Sequence, residues 1–231
     1  MSAHLCDMVT GDVLASTGAM NPQIRFGEDL MSRVSYGIMN SGGVDEMNKA
    51  VVAGLQNLID GAAKQASLVS DDIVELVLVG NPVMHHLLLG IDPVELGGAP
   101  FALALDEALD VRASDVGVAI NPGARVYILP CIAGHVGADA AAVVLAEAPQ
   151  KGKINTLVVD VGTNAEIVIG NSQRMLAASS PTGPAFEGAQ ISSGQRAAPG
   201  AIERIRIDKD TLEPRFQVIG VEEWSDEDGF D

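Results

Sequence analysis

Apolar positions alternate between two periods along this chain. Leu30, Met31, Val34 and Ile38 recur at helical spacing and predict a helix over Glu28–Met39. A second helix is predicted from Val44 to Ala66, with Met47, Val51, Leu55, Leu58 and Ile59 on one face. Asp45 and Glu46 fall in its first turn, where negative charge suits the helix dipole. Short strands are predicted at Ala3–Asp7 and Val13–Thr17 around Thr10-Gly11-Asp12, a hairpin signal. Ile73–Val79 reads as a buried strand. Gly80-Asn81-Pro82 ends it, and Val83–Leu89 follows as a helix with Pro82 at its first position. Asp92–Asn121 shows no pattern and is expected to be irregular. Arg125–Leu129 is another strand, stopped by Pro130. Gly134-His135-Val136-Gly137-Ala138-Asp139 then leads into a small-residue helix, Ala140–Ala148, suited to close approach to a neighbouring backbone. Pro149–Lys153 is a short polar linker and the expected domain boundary.

The second part reads as strands. Leu157–Val161 and Ala165–Ile169 are apolar runs joined by a turn containing Gly162, Thr163 and Asn164. Arg174–Ser179 is a third strand, and Ala201–Asp208 with Arg215–Gly220 closes the series as a pair. The Gly- and Ser-rich loops of Ser180–Gly200 are long for a compact domain, which points to function. The acidic tail, Glu222–Asp231, is expected to be exposed.

Composition narrows the class. At 231 residues there is room for one large domain or two smaller ones. Hydrophobic content of 47% supports a real core, and 3% aromatic content makes that core aliphatic. The net charge of -17 disfavours nucleic acid and anionic membranes as partners, so neither is expected. The charge either favours a basic protein partner or only keeps the chain soluble. Cys6 and Cys131 are too few and too far apart for a disulfide framework or a zinc pattern, and suit a reducing cytoplasm. No stretch approaches transmembrane length, and Met1–Thr10 lacks the form of a signal peptide.

Candidate chemistry gathers in three loops. In the first, Asp160 ends an apolar strand, where its carboxylate can hold magnesium directly or through water. Gly162 lets a backbone approach phosphate closely, and Thr163 and Asn164 can add hydroxyl and amide contacts. A phosphate loop and an ordinary hairpin turn both fit these residues. The second loop, with Gly134, Gly137 and Asp139, turns into a helix N-terminus whose amides attract anions. The third, Thr182–Gly188, carries Gly183, Gly188 and the carboxylate of Glu187. His85 and His86 are adjacent on a helix, a poor geometry for chelation, which favours a surface or core role. Cys131 reads as a buried small residue more than a redox thiol. Arg196, Arg204 and Arg206 could offset phosphate charge. Arg204 and Arg206 share a strand face, so a structural ion pair is an equal alternative.

Asp160-Val161-Gly162-Thr163-Asn164, preceded by a small-residue helix, resembles the second phosphate motif and first connecting helix of the acetate and sugar kinase, heat-shock chaperone and actin superfamily. The run Pro181–Arg204 is more specific and resembles the ATP-dependent reductive activators of corrinoid proteins. So do the runs Asn21–Asp29, Val79–Leu87 and Asn121–Val126. The resemblance covers nearly the whole chain.

It implies an α/β, actin-like (ribonuclease H-like) ATPase fold of two lobes, with mixed sheets flanked by helices. Residues 1–152 would form the first lobe, the middle domain of an activator. Residues 153–231 would start the second lobe, the C-terminal domain. The implied activity couples ATP hydrolysis to reduction of cob(II)alamin to cob(I)alamin. The implied partner is a corrinoid protein or corrinoid methyltransferase, with a homodimer as a further expectation. By position, Asp160 would support magnesium and Gly162, Thr163 and Asn164 would contact phosphate. Glu166 and Glu187 would orient water or the ion. The first phosphate motif is expected just before Ser2, the adenosine motif beyond Asp231, and the two-iron, two-sulfur cluster in a separate N-terminal ferredoxin-like module. Residues 1–231 then read as an internal piece, expected to bind ATP weakly and to reduce nothing alone. The alternatives are a small-molecule kinase of the same superfamily, an activator of hydroxyacyl-CoA dehydratases, and a non-catalytic binding module.

Overall fold

The computed structural model describes residues 1–162, 164–183, 192–195 and 197–230. Its elements run β1 (Ser2–Cys6), β2 (Val13–Gly18), α1 (Leu30–Met39), α2 (Gly43–Gln65), β3 (Glu75–Leu78), α3 (Pro82–Leu88), β4 (Leu109–Arg112), β5 (Arg125–Ile128) and α4 (Ala138–Glu147). They continue as β6 (Thr156–Val161), β7 (Asn164–Gly170), β8 (Met175–Pro181), β9 (Ile202–Ile207) and β10 (Pro214–Val218). Contacts divide the chain into two compact units. One is Met1–Val158 with Val168–Ala178, and the other is Val159–Ile167 with Ser179–Asp231. The division cuts across β6, β7 and β8. The polar linker lies inside the first unit as a 3-10 turn over Pro149–Lys151, with Pro149 buried.

Local signals set the helix ends. Asp29 caps α1: its carboxylate accepts from the Ser32 amide at 2.7 Å, and Ser32 Oγ accepts from the Asp29 amide at 3.1 Å. The Ser32 hydroxyl and amide together hold the Asp29 carboxyl below its ordinary pKa. Asn81 caps α3 by accepting from the Met84 amide at 2.9 Å, with Pro82 at the first position. In α2 the first turn carries Asp45 and Glu46 and the last carries Lys64, each charge placed favourably to the dipole.

The first unit is built around α2. One cluster packs Val51, Ile59 and Ala63 of that helix against Val126 and Ile128 of β5, with Leu76, Leu78 and Leu5 at its margin. A second joins α1, α2 and α3 through Val34, Met47, Val83 and Leu87. β5 lies between β3, which it pairs in parallel, and β4, which it pairs antiparallel. β1 and β2 form a separate antiparallel hairpin. The Asp92–Asn121 segment is not irregular. It supplies β4 and two 3-10 turns that carry Leu96 and Val116 into the core. Four alternating residues, Leu109-Asp110-Val111-Arg112, are too short a run for periodicity alone to reveal.

β6, β7 and β8 form a three-stranded sheet in that order, and β9 and β10 an antiparallel pair. The acidic tail is anchored along its backbone, although most of its carboxylates stay exposed. The Ser225 amide donates to the Phe216 carbonyl at 2.8 Å, and Arg215 pairs with Asp226 at 3.1 Å. Phe230 meets Phe216 edge-on at 5.5 Å. Arg206 lies over the Trp224 ring at 3.9 Å, a cation–π contact.

His85 and His86 belong to the core, at 4% and 1% exposure. His86 Nδ1 is 2.8 Å from the Pro82 carbonyl, which only accepts, and Nε2 is 3.1 Å from the Ala104 amide, which only donates. The ring is therefore neutral with its proton on Nδ1. Burial lowers both histidine pKa values, and for His85 the neighbouring His86 lowers it further. Cys131 is buried too, and its thiol is pushed up to about 11, chiefly by desolvation.

Two expectations follow from this core. The unfolded chain binds protons at both histidines below about pH 6.5, where the folded chain resists them. The urea midpoint should hold steady from pH 8 to 7 and fall from pH 6.5 to 5. The slope per extra proton should approach about 1.4 kcal/mol per pH unit. A flat midpoint across that window would remove the histidines as buried neutral groups. Leu87→Ala, at a fully buried site, should cost about 2–5 kcal/mol in urea unfolding. Leu145→Ala, at 66% exposure, should stay within about 0.5 kcal/mol.

Candidate functional site

The turn between β6 and β7 is held from two directions. The Gly162 amide donates to the Asn164 carbonyl at 2.8 Å, closing the turn. The Gly162 carbonyl accepts from Thr182 Oγ1 at 2.5 Å, tying the turn to the segment after β8. The first and third candidate loops thus meet within one unit. Asp160, at the end of β6, is exposed. Glu166 of β7 accepts from Ser179 Oγ at 3.3 Å, which aims its carboxylate along β8. Asn164 and Gly162 are half-buried beside the turn. Thr163, Glu187 and Gly188 lie outside the described residues, as does Arg196.

The glycines of the loops differ in what surrounds them. Among the described residues, a Cβ on Gly162 would meet only the Asn164 carbonyl oxygen, at 3.6 Å. Gly183 has a left-handed φ of 76°, and a methyl added there would have no atom of the described residues within 4 Å, so backbone conformation favours glycine. Gly134 and Gly137 are different. A Cβ on Gly134 would overlap the Phe101 carbonyl oxygen, and one on Gly137 would lie 2.7 Å from both Asn81 Cα and the Gly80 carbonyl oxygen.

The start of α4 is likewise occupied by protein. The Ala138 and Asp139 amides donate to the Gly80 carbonyl at 3.0 and 3.4 Å, and the Ala140 amide to Asp139 Oδ1 at 2.9 Å. The amides that the sequence offers to an anion are engaged inside the first unit. Gly134 and Gly137 allow Phe101, the Gly80-Asn81 turn and α4 to close on one another. His135 packs edge-on against Phe101 at 4.6 Å.

The sequence reading missed a cleft in the first unit of about 470 Å³, lined by Ser2, Val77, Asn81, His85 and Asp139 among others. Its one legible signal was the turn Gly80-Asn81-Pro82, read only as a strand end. Among the described residues, no three His, Cys, Asp or Glu side chains gather in a way that could hold a metal ion. No helix there is long and apolar enough to cross a membrane.

Known proteins supply the family. Residues 1–151 match the model of the RACo middle region, and residues 154–226 match that of the C-terminal domain of RACo, the ASKHA domain. The corrinoid activation enzyme RamQ of Eubacterium limosum is 36% identical over 94% of this chain and 36% of its own length. A reductase of Co(II) methylated amine-specific corrinoid protein from Methanosarcina barkeri is 26% identical over 86% of this chain and 37% of its own. Among solved structures, a reductive activator for corrinoid, iron-sulfur protein superposes with a TM-score of 0.84 at 36% identity. That match covers 95% of this chain and 35% of the other. The chain thus spans little more than a third of the length of each of these relatives. The likeness to that activator and the ASKHA match establish an actin-like α/β fold. The chain belongs to the RACo family, through that family's middle region and C-terminal ASKHA domain.

Proposed function

We propose that the complete protein is a reductive activator of a corrinoid protein, coupling ATP hydrolysis to the one-electron reduction of cob(II)alamin to cob(I)alamin. The observation that carries this reading is the likeness, at a TM-score of 0.84 over 95% of the chain, to a reductive activator for corrinoid, iron-sulfur protein. The names of RamQ and of the Methanosarcina barkeri reductase support it. The substrate is then a corrinoid protein or corrinoid methyltransferase whose cobalt has lost reactivity by one-electron oxidation.

The turn after β6 is the part of this chain assigned to nucleotide. Asp160 presents an exposed carboxylate at a strand end, fit to accept hydrogen bonds from water around magnesium or to ligate it. Magnesium commonly binds through one or two carboxylates plus phosphates and water, and Asp160 is assigned as one such carboxylate. Gly162 is assigned to let a phosphate approach the backbone, where among the described residues only the Asn164 carbonyl oxygen stands close, and Thr163 and Asn164 are assigned to contact it. Glu166 and Glu187 are assigned to orient water or the ion. When bound, magnesium–ATP supplies the cleavable phosphate whose hydrolysis drives the uphill electron step. The Thr182–Gly162 hydrogen bond couples that turn to the following loop. Gly134, Gly137 and Asp139 keep a supporting part, setting the helix start near the Gly80 turn.

An iron–sulfur cluster does not fit residues 1–231. Cys6 is exposed and Cys131 is buried, and a cluster takes about four cysteines. The electron donor is assigned to another part of the complete protein.

In the complete protein, Asp160→Ala should lower magnesium-dependent ATPase activity by at least about 100-fold (about 2.7 kcal/mol of transition-state stabilisation) while leaving the melting temperature in place. Unchanged ATPase activity would end the role given to this turn. A paired glycine test separates open from packed positions. Gly162→Ala should fold normally and weaken ATP binding in calorimetry. Gly137→Ala should destabilise the protein by about 1–3 kcal/mol in thermal unfolding, since its new methyl meets backbone. Equal melting temperatures for the two variants would refute the distinction.

A further inference from the structure

The backbone freedom that suits Gly162 to its assigned phosphate also exposes the turn to a fault. With no Cβ, glycine lets its flanking peptide units rotate more readily than any other residue does. A rotation there would swing the Gly162 carbonyl, the negative end of a dipole, toward an incoming phosphate. Oxygen would face oxygen, and the repulsion would weaken binding.

The carbonyl is held against that rotation. Thr182 Oγ1 donates to the Gly162 carbonyl oxygen at 2.5 Å. From the other side of the same residue, the Gly162 amide donates to the Asn164 carbonyl at 2.8 Å. Both polar backbone groups of Gly162 are thus engaged inside the second unit. Thr182 is well placed for its part. It follows Pro181, the last residue of β8, and is half-buried where Ser180 and Pro181 are exposed. Its branched Cβ restricts χ1, which limits where the hydroxyl can point. Ser179, earlier on β8, gives a useful contrast. Its Oγ donates to Glu166 Oε1 at 3.3 Å, so that bond ends on a side chain and the Thr182 bond ends on the backbone of the turn.

Resting on the nucleotide reading of the Asp160 turn, we infer that Thr182 is a positioning residue for magnesium–ATP. Its hydroxyl fixes the Gly162 carbonyl before the nucleotide arrives, so the turn is already in its binding form. Thr182 acts through Gly162 and not on the nucleotide itself. Without the hydroxyl, the binding form is a smaller fraction of the population, and apparent affinity falls by that fraction. Once bound, the nucleotide has selected the same form, so the loss falls on KM and largely spares kcat.

The complete protein tests this. Thr182→Val removes the hydroxyl and nearly keeps the side-chain shape. It should raise the KM for magnesium–ATP about tenfold, hold kcat within about twofold and leave the melting temperature within about 2 °C. Thr182→Ser should bring the KM back to within about twofold of the parent. In hydrogen exchange read by mass spectrometry without nucleotide, the Gly162 amide should exchange about tenfold faster in Thr182→Val and recover in Thr182→Ser. Ser179→Ala should keep the parent Gly162 exchange and KM, and lower kcat through Glu166. Unchanged Gly162 exchange in Thr182→Val would overturn the proposal whatever the turn binds. An unchanged KM, beside an Asp160→Ala variant that has lost ATPase activity, would overturn it while the nucleotide reading stands. An unchanged KM beside a fully active Asp160→Ala would overturn that reading and the proposal with it. An equal rise in KM in Ser179→Ala would overturn it too, by making Thr182 one more support of β8.

Discussion

Everything in the first unit depends on how closely one helix can lie beneath two sheets. α2 achieves this with small residues where it meets neighbouring side chains. A Cβ on Gly54 would stand 2.9 Å from the Pro22 ring, and one on Gly61 would stand 3.4 Å from the Thr17 methyl. The Thr17 hydroxyl also donates to the Leu58 carbonyl at 3.1 Å. With those approaches made, the larger side chains of the same helix reach both β1 and β5. Asn48 fixes the far side by donating to the Leu87 and Leu88 carbonyls at the end of α3. That restrains the short helix whose start faces the Gly80 turn and α4.

Glycine therefore has separate uses here that sequence does not distinguish. At Gly137 it removes a methyl that would strike the Gly80 turn. At Gly183 it permits a left-handed backbone, and at Gly162 neither demand arises from the described residues. A position free of packing and conformational need is where a bound group can account for the residue. This separates the three Gly-rich loops on physical grounds. The loop before α4 is filled by its own protein, while at Gly162 in the turn after β6 only the Asn164 carbonyl oxygen stands close among the described residues.

Long periodic segments were legible from sequence. α1 and α2 begin and end close to the limits set by their apolar spacing and caps, and the strands around Asp160 follow from their apolar runs. β4 was not legible, because four residues cannot establish a period and its burial comes from pairing with β5. The tail was read from its charges alone. Its anchoring depends on Trp224, Ser225 and Phe230, three residues scattered among carboxylates and without local pattern. At the candidate site, the residues of the Asp160 turn stand together in sequence as a motif. Its tie to Thr182 was not legible, because the two residues are brought together only by β7 and β8 pairing. The cleft containing His85 was invisible for a similar reason: its walls come from opposite ends of the first unit.

On the proposed reading of the Asp160 turn, its exposure would set an order of events. An exposed carboxylate holds a divalent cation weakly against water, so the turn would not be loaded in advance. The cation would then reach Asp160 together with the phosphates. Nucleotide and metal would act as a single incoming species, and occupancy of the turn would follow the concentration of their complex, not of the free ion. The net charge of -17 opposes the free nucleotide more strongly than the neutralised complex, which gives the same order.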